Sequence, residues 1–105
     1  MILTIFRSRL HPDASDYPAV AREMLELARE MRGFVSFKTF SHPDGERCSV
    51  VEFADWDSHN AWAKHPRHIE AQRQGREEFY AGFSITVAEV ARAYEFRHDD
   101  EGETP

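Results

Sequence analysis

The chain has 105 residues, enough for one domain and too few for two independent cores. Hydrophobic residues make up 41% and charged residues 30%, and 19 acidic against 13 basic side chains leave a formal charge of −6. That balance argues against nucleic acid or an anionic membrane as a partner, since both reward clustered Lys and Arg.

Four of the acids, Asp99, Asp100, Glu101 and Glu103, fall in the last seven residues, so the folded part is closer to neutral. Cys48 is the single cysteine, which excludes an intrachain disulfide and points to a small core residue. The opening segment MILTIFRSRL is interrupted by Arg7 and Arg9 too soon to read as a signal peptide, and no run approaches a membrane span. The expectation is a cytoplasmic protein without a membrane partner.

In chain order, residues 2–10 read as a strand rich in Ile, Leu, Thr and Phe. HPDASDYP breaks the chain and offers Ser15 or Asp16 as a helix cap, with Pro18 in the first turn. Tyr17, Val20, Ala21, Met24, Leu27, Ala28 and Met31 then repeat at helical spacing, and Gly33 is placed to end the helix. FVSFKTF (34–40) and RCSVVEF (47–53) are strands joined by a Pro-Asp-Gly turn, which makes an antiparallel hairpin. A second helical region runs from about Asp57 to Tyr80 with a break at Pro66, and the last strand is expected over 84–96. The order is βαββαβ, an α+β ferredoxin-like arrangement over residues 1–97. An acidic tail at 98–105 is expected to be disordered.

The strands are apolar on both faces. Simple alternation sets Phe34 and Phe40 against Val35 and Phe37, Val51 and Phe53 against Cys48 and Val50, and Ile85 and Val87 against Val90, Tyr94 and Phe96. Two helices on one face cannot cover both sides, so the second face implies another copy of the chain. Two sheets meeting face to face make a dimeric α+β barrel, and a homodimer is expected.

The second helix lacks the aliphatic density of the first. One stripe runs Ile69, Gln72, Arg76, Phe79 and Tyr80, and its neighbour runs His68, Ala71, Gln72, Gly75 and Phe79. A packed helix that brings Gln, Arg and His to the sheet borders a cavity with converging polar groups, unless these side chains snorkel or pair with the sheet. His65 and His68 form a weak metal set, even with His59 or Glu70 added, and no metal is expected. There is no phosphate loop, dinucleotide fingerprint or paired Ser or Cys nucleophile. Trp62 is either a core plug or a pocket wall.

GFVSFKTF, VEF, AWAKHPRH, AQRQGREEFY and the closing strand together resemble the antibiotic biosynthesis monooxygenase domain family, over residues 1–96. The resemblance implies a dimeric α+β barrel with a pocket in each subunit. It further implies cofactor-independent oxygenation of a small aromatic molecule, a quinol or polycyclic phenol. Its haem-degrading branch carries an Asn on the first strand, a Trp, and a haem-ligating His. Here Trp62 matches while Arg7 and Gln72 take the other two places, so haem is the weaker alternative. A non-catalytic dimeric ligand-binding protein is the alternative of a different class.

Such chemistry needs a base, a cation and a dry aromatic enclosure. His68 is the expected base, since imidazole titrates near neutrality, with His65 beside it. Arg76 or Arg7 would face the developing anion. Trp62, Phe37 and Phe79 would stack on the substrate, and Gln72 would line the pocket.

Overall fold

In the computed structural model, which describes residues 1–98, four strands and three helices alternate. The chain order is β1 (Ile2–Leu10), α1 (Tyr17–Glu30), β2 (Phe34–Ser41), β3 (Arg47–Phe53), α2 (Trp56–Ala63), α3 (Pro66–Gln74) and β4 (Tyr80–Glu89). The sheet is antiparallel, ordered β2-β3-β1-β4, which is the ferredoxin-like topology expected from the element order. The acidic residues from Asp99 onward lie outside the described residues.

Register fixes what faces the helices, because directly opposed residues of antiparallel strands share a face. Thr4 opposes Val51 and Val87, Phe6 opposes Ser49 and Ile85, and Ser8 opposes Arg47 and Phe83. Met24 and Ala28 of α1, Trp62 of α2 and Ala71 of α3 close on Val51 and Phe53 to form the core. All three helices therefore lie on the face of Thr4, Phe6 and Ser8.

Two expectations about strands need correcting. A bulge between Phe34 and Ser36 turns Phe34 and Phe37 to the same, helix-covered face, opposite Phe53 and Val51, while Phe40 pairs with Cys48 on the other face. Simple alternation had set Phe34 against Phe37. The last strand also begins and ends earlier than expected, at Tyr80–Glu89 in place of 84–96. Pairing with β1 ends there: Ile2 pairs with Glu89, and the Val90 N–H donates to the Met1 carbonyl at 3.0 Å before the chain leaves the sheet. Val90, Tyr94 and Phe96 are consequently not strand residues, and Tyr94 is 85% exposed.

The second helical region is three pieces. Asp55 caps α2 by accepting the Ser58 N–H at 2.8 Å, and the helix stops at Lys64. His65 then caps α3, its Nδ1 accepting the Arg67 N–H at 3.1 Å, with Pro66 as the first helical residue. At its far end α3 passes into a single π turn, Gly75–Phe79, that delivers the chain into β4. A Cβ on Gly75 would lie 2.6 Å from the Tyr80 ring, so the absent side chain lets that ring pack under the turn.

Candidate active site

The helices leave part of their own sheet face bare. Phe83, Ile85 and Val87 of β4 are 42%, 49% and 40% exposed although they share the face of the core. With Phe6 and Thr4 they form an apolar floor beside α3. The flank of α3 that meets this floor follows from helix geometry. Arg67 is tied to Glu23 of α1 by two 2.7 Å hydrogen bonds, so the Arg67 side of α3 faces α1 and the β2 side of the sheet. Ala71 and Gly75 are buried and Gln72, about 100° round from Ala71 on the side away from Arg67, is half-buried, whereas Ile69 and Arg76 lie farther round and are exposed. This strip and the polar side of α3 together are the candidate cleft, open to solvent, aromatic and aliphatic on the strand and polar on the helix.

His68 sits where that wall meets the core. Its ring stacks on Trp62 with centroids 4.2 Å apart and planes 13° from parallel. Its Nδ1 lies 3.0 Å from the Trp62 carbonyl oxygen. A carbonyl only accepts, so Nδ1 carries the proton and Nε2 of the neutral ring holds the lone pair. Burial, opposed by the bond to Trp62 and aided by His65 and His59, lowers the His68 pKa below the ordinary 6.5. The imidazole is thus neutral and oriented at neutral pH, with an unprotonated Nε2.

The other residues singled out from sequence separate. Trp62 is 5% exposed and a member of the core, with its ring exposed to neither side of the cleft. Phe37 packs half-buried against that core, and Phe79 is buried edge-on to Tyr17 at 5.6 Å. His65 spends its Nδ1 on the α3 cap and its ring lies 5.9 Å from Trp62. Gln72 is half-buried and Arg76 exposed on the shared flank. Arg7 is not brought to this group. It points to the opposite face, where its guanidinium holds Glu46 at 2.9 Å. There it borders a shallow hollow of about 380 Å3 with Phe40, His42 and Cys48. Ser8, not Arg7, is the polar β1 residue under the helices, and it is 4% exposed.

Three residues that sequence reasoning left out meet at the far end of the cleft. Tyr80 stands edge-on to Phe6 at 5.2 Å and to Tyr17 at 5.9 Å, and the Arg47 guanidinium lies over the Tyr17 ring at 5.2 Å. Burial pushes the Tyr80 phenol above its usual value, so it stays protonated. Tyr17 was readable only as part of the apolar stripe of α1. Among the described residues no three His, Cys, Asp or Glu side chains converge as a metal site. No helix there is long and apolar enough to cross a membrane.

Comparison with solved structures gives the same fold throughout. Rv0793 from Mycobacterium tuberculosis superposes with a TM-score of 0.78 at 19% identity, covering 90% of this chain and 98% of that one. A candidate antibiotic biosynthesis monooxygenase from Deinococcus radiodurans gives 0.80 at 11% identity, covering 92% and 99%. The N63A mutant of SnoaB, a cofactor-independent oxygenase from Streptomyces nogalater, gives 0.75 at 12% identity over 88% and 94%. In sequence, the uncharacterized protein YqjZ of Bacillus subtilis (strain 168) is 28% identical over 95 residues, 90% of this chain and 83% of YqjZ. No protein-family model matches the chain. The chain has the fold of the antibiotic biosynthesis monooxygenases.

Proposed function

We propose that this chain, built on the fold it shares with a cofactor-independent oxygenase, is itself a monooxygenase of small aromatic quinols or polycyclic phenols. The observation that carries the reading is the His68 ring, oriented by Trp62 with its lone pair on Nε2, on the same side of the sheet as the exposed apolar strip of Phe83, Ile85 and Val87. A flat substrate would lie on that floor with Gln72 and Arg76 along its edge.

The chemistry balances without an added reductant. His68 Nε2 takes a proton from an activated CH or phenol, and the resulting anion passes one electron to O2. Recombination of the pair forms a carbon–oxygen bond and a peroxide. At a benzylic methylene, loss of water from the hydroperoxide leaves a carbonyl, so one oxygen atom stays on carbon and the other leaves as water. The substrate supplies all four electrons. Arg76 is the cation on this flank able to face the developing anion, whereas Arg7 is committed to Glu46.

Oxygen uptake with a panel of anthrones and quinols tests this. His68→Ala is expected to lower turnover about a hundredfold, the scale of a lost general base. In the wild type, activity should persist as pH falls to 6.5 and disappear only as pH passes through the lowered His68 pKa, where protonation fills Nε2. Uptake at the buffer rate with every compound would favour the non-catalytic binding protein.

We also infer a homodimer. The sheet face away from the helices carries Leu3, Ile5, Val50, Cys48 and Phe40, of which Phe40 is exposed and the others half-buried, and no helix of the described chain lies on it. Burying it against a second copy joins the two sheets, and light scattering should return a mass near twice the 12.2 kDa of one chain. A mass of one chain across the micromolar range would refute it.

A further inference from the structure

Among the described residues, arginines fall into two groups. Arg7, Arg9, Arg67, Arg73 and Arg97 each hold a carboxylate. Those without an ion pair, Arg22, Arg29, Arg32, Arg76 and Arg92, are exposed. Arg47 fits neither group. It is half-buried on the helix-covered face, and no acid among the described residues lies within ion-pair distance. A partly covered guanidinium with no carboxylate partner in the described chain is open to pairing with a ligand's anion.

The contact Arg47 does make leaves its hydrogen-bonding edge open. Its Cζ stands over the Tyr17 ring at 5.2 Å, a cation–π contact that uses none of its N–H donors on a carboxylate. The N–H groups radiate from the rim of that plane, in a fork whose spacing matches a carboxylate. Location completes the case. Arg47, Ser8 and Phe83 form one row across β3, β1 and β4, so Arg47 is two strand spacings, about 10 Å, from the cleft floor. The Tyr17 and Tyr80 rings bridge that interval, and Tyr80 touches Phe6 and Phe83 of the floor at 5.2 and 5.7 Å.

We propose that Arg47, with the phenols of Tyr17 and Tyr80, forms a carboxylate-binding corner at the end of the cleft, so that the preferred ligands are aromatic acids. This rests on reading the cleft as the aromatic site. The ring system lies on Phe6, Phe83 and Ile85, and a carboxylate carried at one end meets the Arg47 fork. Tyr80, kept protonated by burial and by the neighbouring Tyr17, would donate to the same oxygens. The corner selects and orients the ligand, and the proton transfer stays with His68.

The test reads binding, not turnover. Calorimetric titration of the wild type with anthraquinone-2-carboxylate and with the near-isosteric, uncharged anthraquinone-2-carboxamide should show the acid binding at least tenfold more tightly. Raising salt should erode that preference. Arg47→Gln should reduce it to about twofold, Arg47→Lys should retain an intermediate preference because the charge survives without the fork, and Tyr80→Phe should lower it severalfold. Urea unfolding of each variant confirms that the fold is kept, and the salt series on the wild type needs no variant at all. Equal affinity for the acid and the amide in the wild type, or a preference untouched by Arg47→Gln, overturns the corner. An Arg47-dependent preference without oxygen uptake from any anthrone would sink the oxygenase reading while the corner stands. Oxygen uptake with no preference for acids would do the reverse.

Discussion

Replacing Trp62 by Ala is expected to destabilise the fold by about 3–5 kcal/mol, the range for deleting a buried aromatic side chain. The ring is 5% exposed and is enclosed by Met24, Ala28, Val51, Phe53 and Ala71, residues drawn from α1, β3 and α3. No neighbour is free to collapse into the space without shifting a helix. A domain of this size has a total stability of about 5–15 kcal/mol, so the variant would be marginal. The same ring is the surface on which His68 lies, 4.2 Å away. Trp62→Phe keeps part of both contacts and should lose less on each count. Urea unfolding, with the midpoint compared at constant slope, gives the number. A loss below about 1 kcal/mol would show that the indole is a pocket wall bordered by solvent, contrary to its burial.

Gly33→Ala is expected to cost about 3 kcal/mol or more through two additive causes. Gly33 has φ of +80°, and an L side chain in that region costs about 1–2 kcal/mol. A Cβ there would also sit 2.0 Å from the Ser58 Oγ and 2.5 Å from its Cβ. Ser58 cannot withdraw easily: it is buried, and its N–H is held by the Asp55 cap that starts α2. The Gly33 carbonyl in turn accepts the Ala54 N–H at 2.8 Å, so this point ties the end of α1 to the start of α2. Adding Ser58→Gly to Gly33→Ala should recover the steric part and leave the backbone strain. A double-mutant cycle therefore separates the causes, and additivity of the two single changes would contradict a clash between them.

Gly33 also illustrates how much was legible in sequence. Its place after the apolar stripe marked the end of α1 to within a few residues, but the helix already stops at an extended Met31, and Gly33 serves the turn closed by the Phe34 N–H on the Met31 carbonyl. Its contact with Ser58 was not legible, since it depends on how α2 docks. His65 and Pro66 behave likewise: the cap and restart of α3 were readable from residue type and order. The stacking of His68 on Trp62 required the break between the two helices to take a particular angle, which no spacing rule supplies.

The sequence by itself determined the order of elements, the hairpin turn, the apolar face of α1 and the polar character of α3. Each of these rests on periodicity or turn chemistry within about a dozen residues. Only the tertiary structure decided the faces of the sheet and the residues that meet on them. Strand side chains alternate with a period of two, so the bulge in β2 reassigns Phe34 or Phe37, and register assigns Ser8 and not Arg7 to the helices. The end of β4 was likewise decided in the sheet, where its pairing with β1 stops at Ile2 and Glu89. Tyr17, Arg47 and Tyr80 come from α1, β3 and β4, and nothing local to any of them indicates the other two. They meet because the pairings of β1 with β3 and β4 bring Arg47 and Tyr80 together beneath the start of α1.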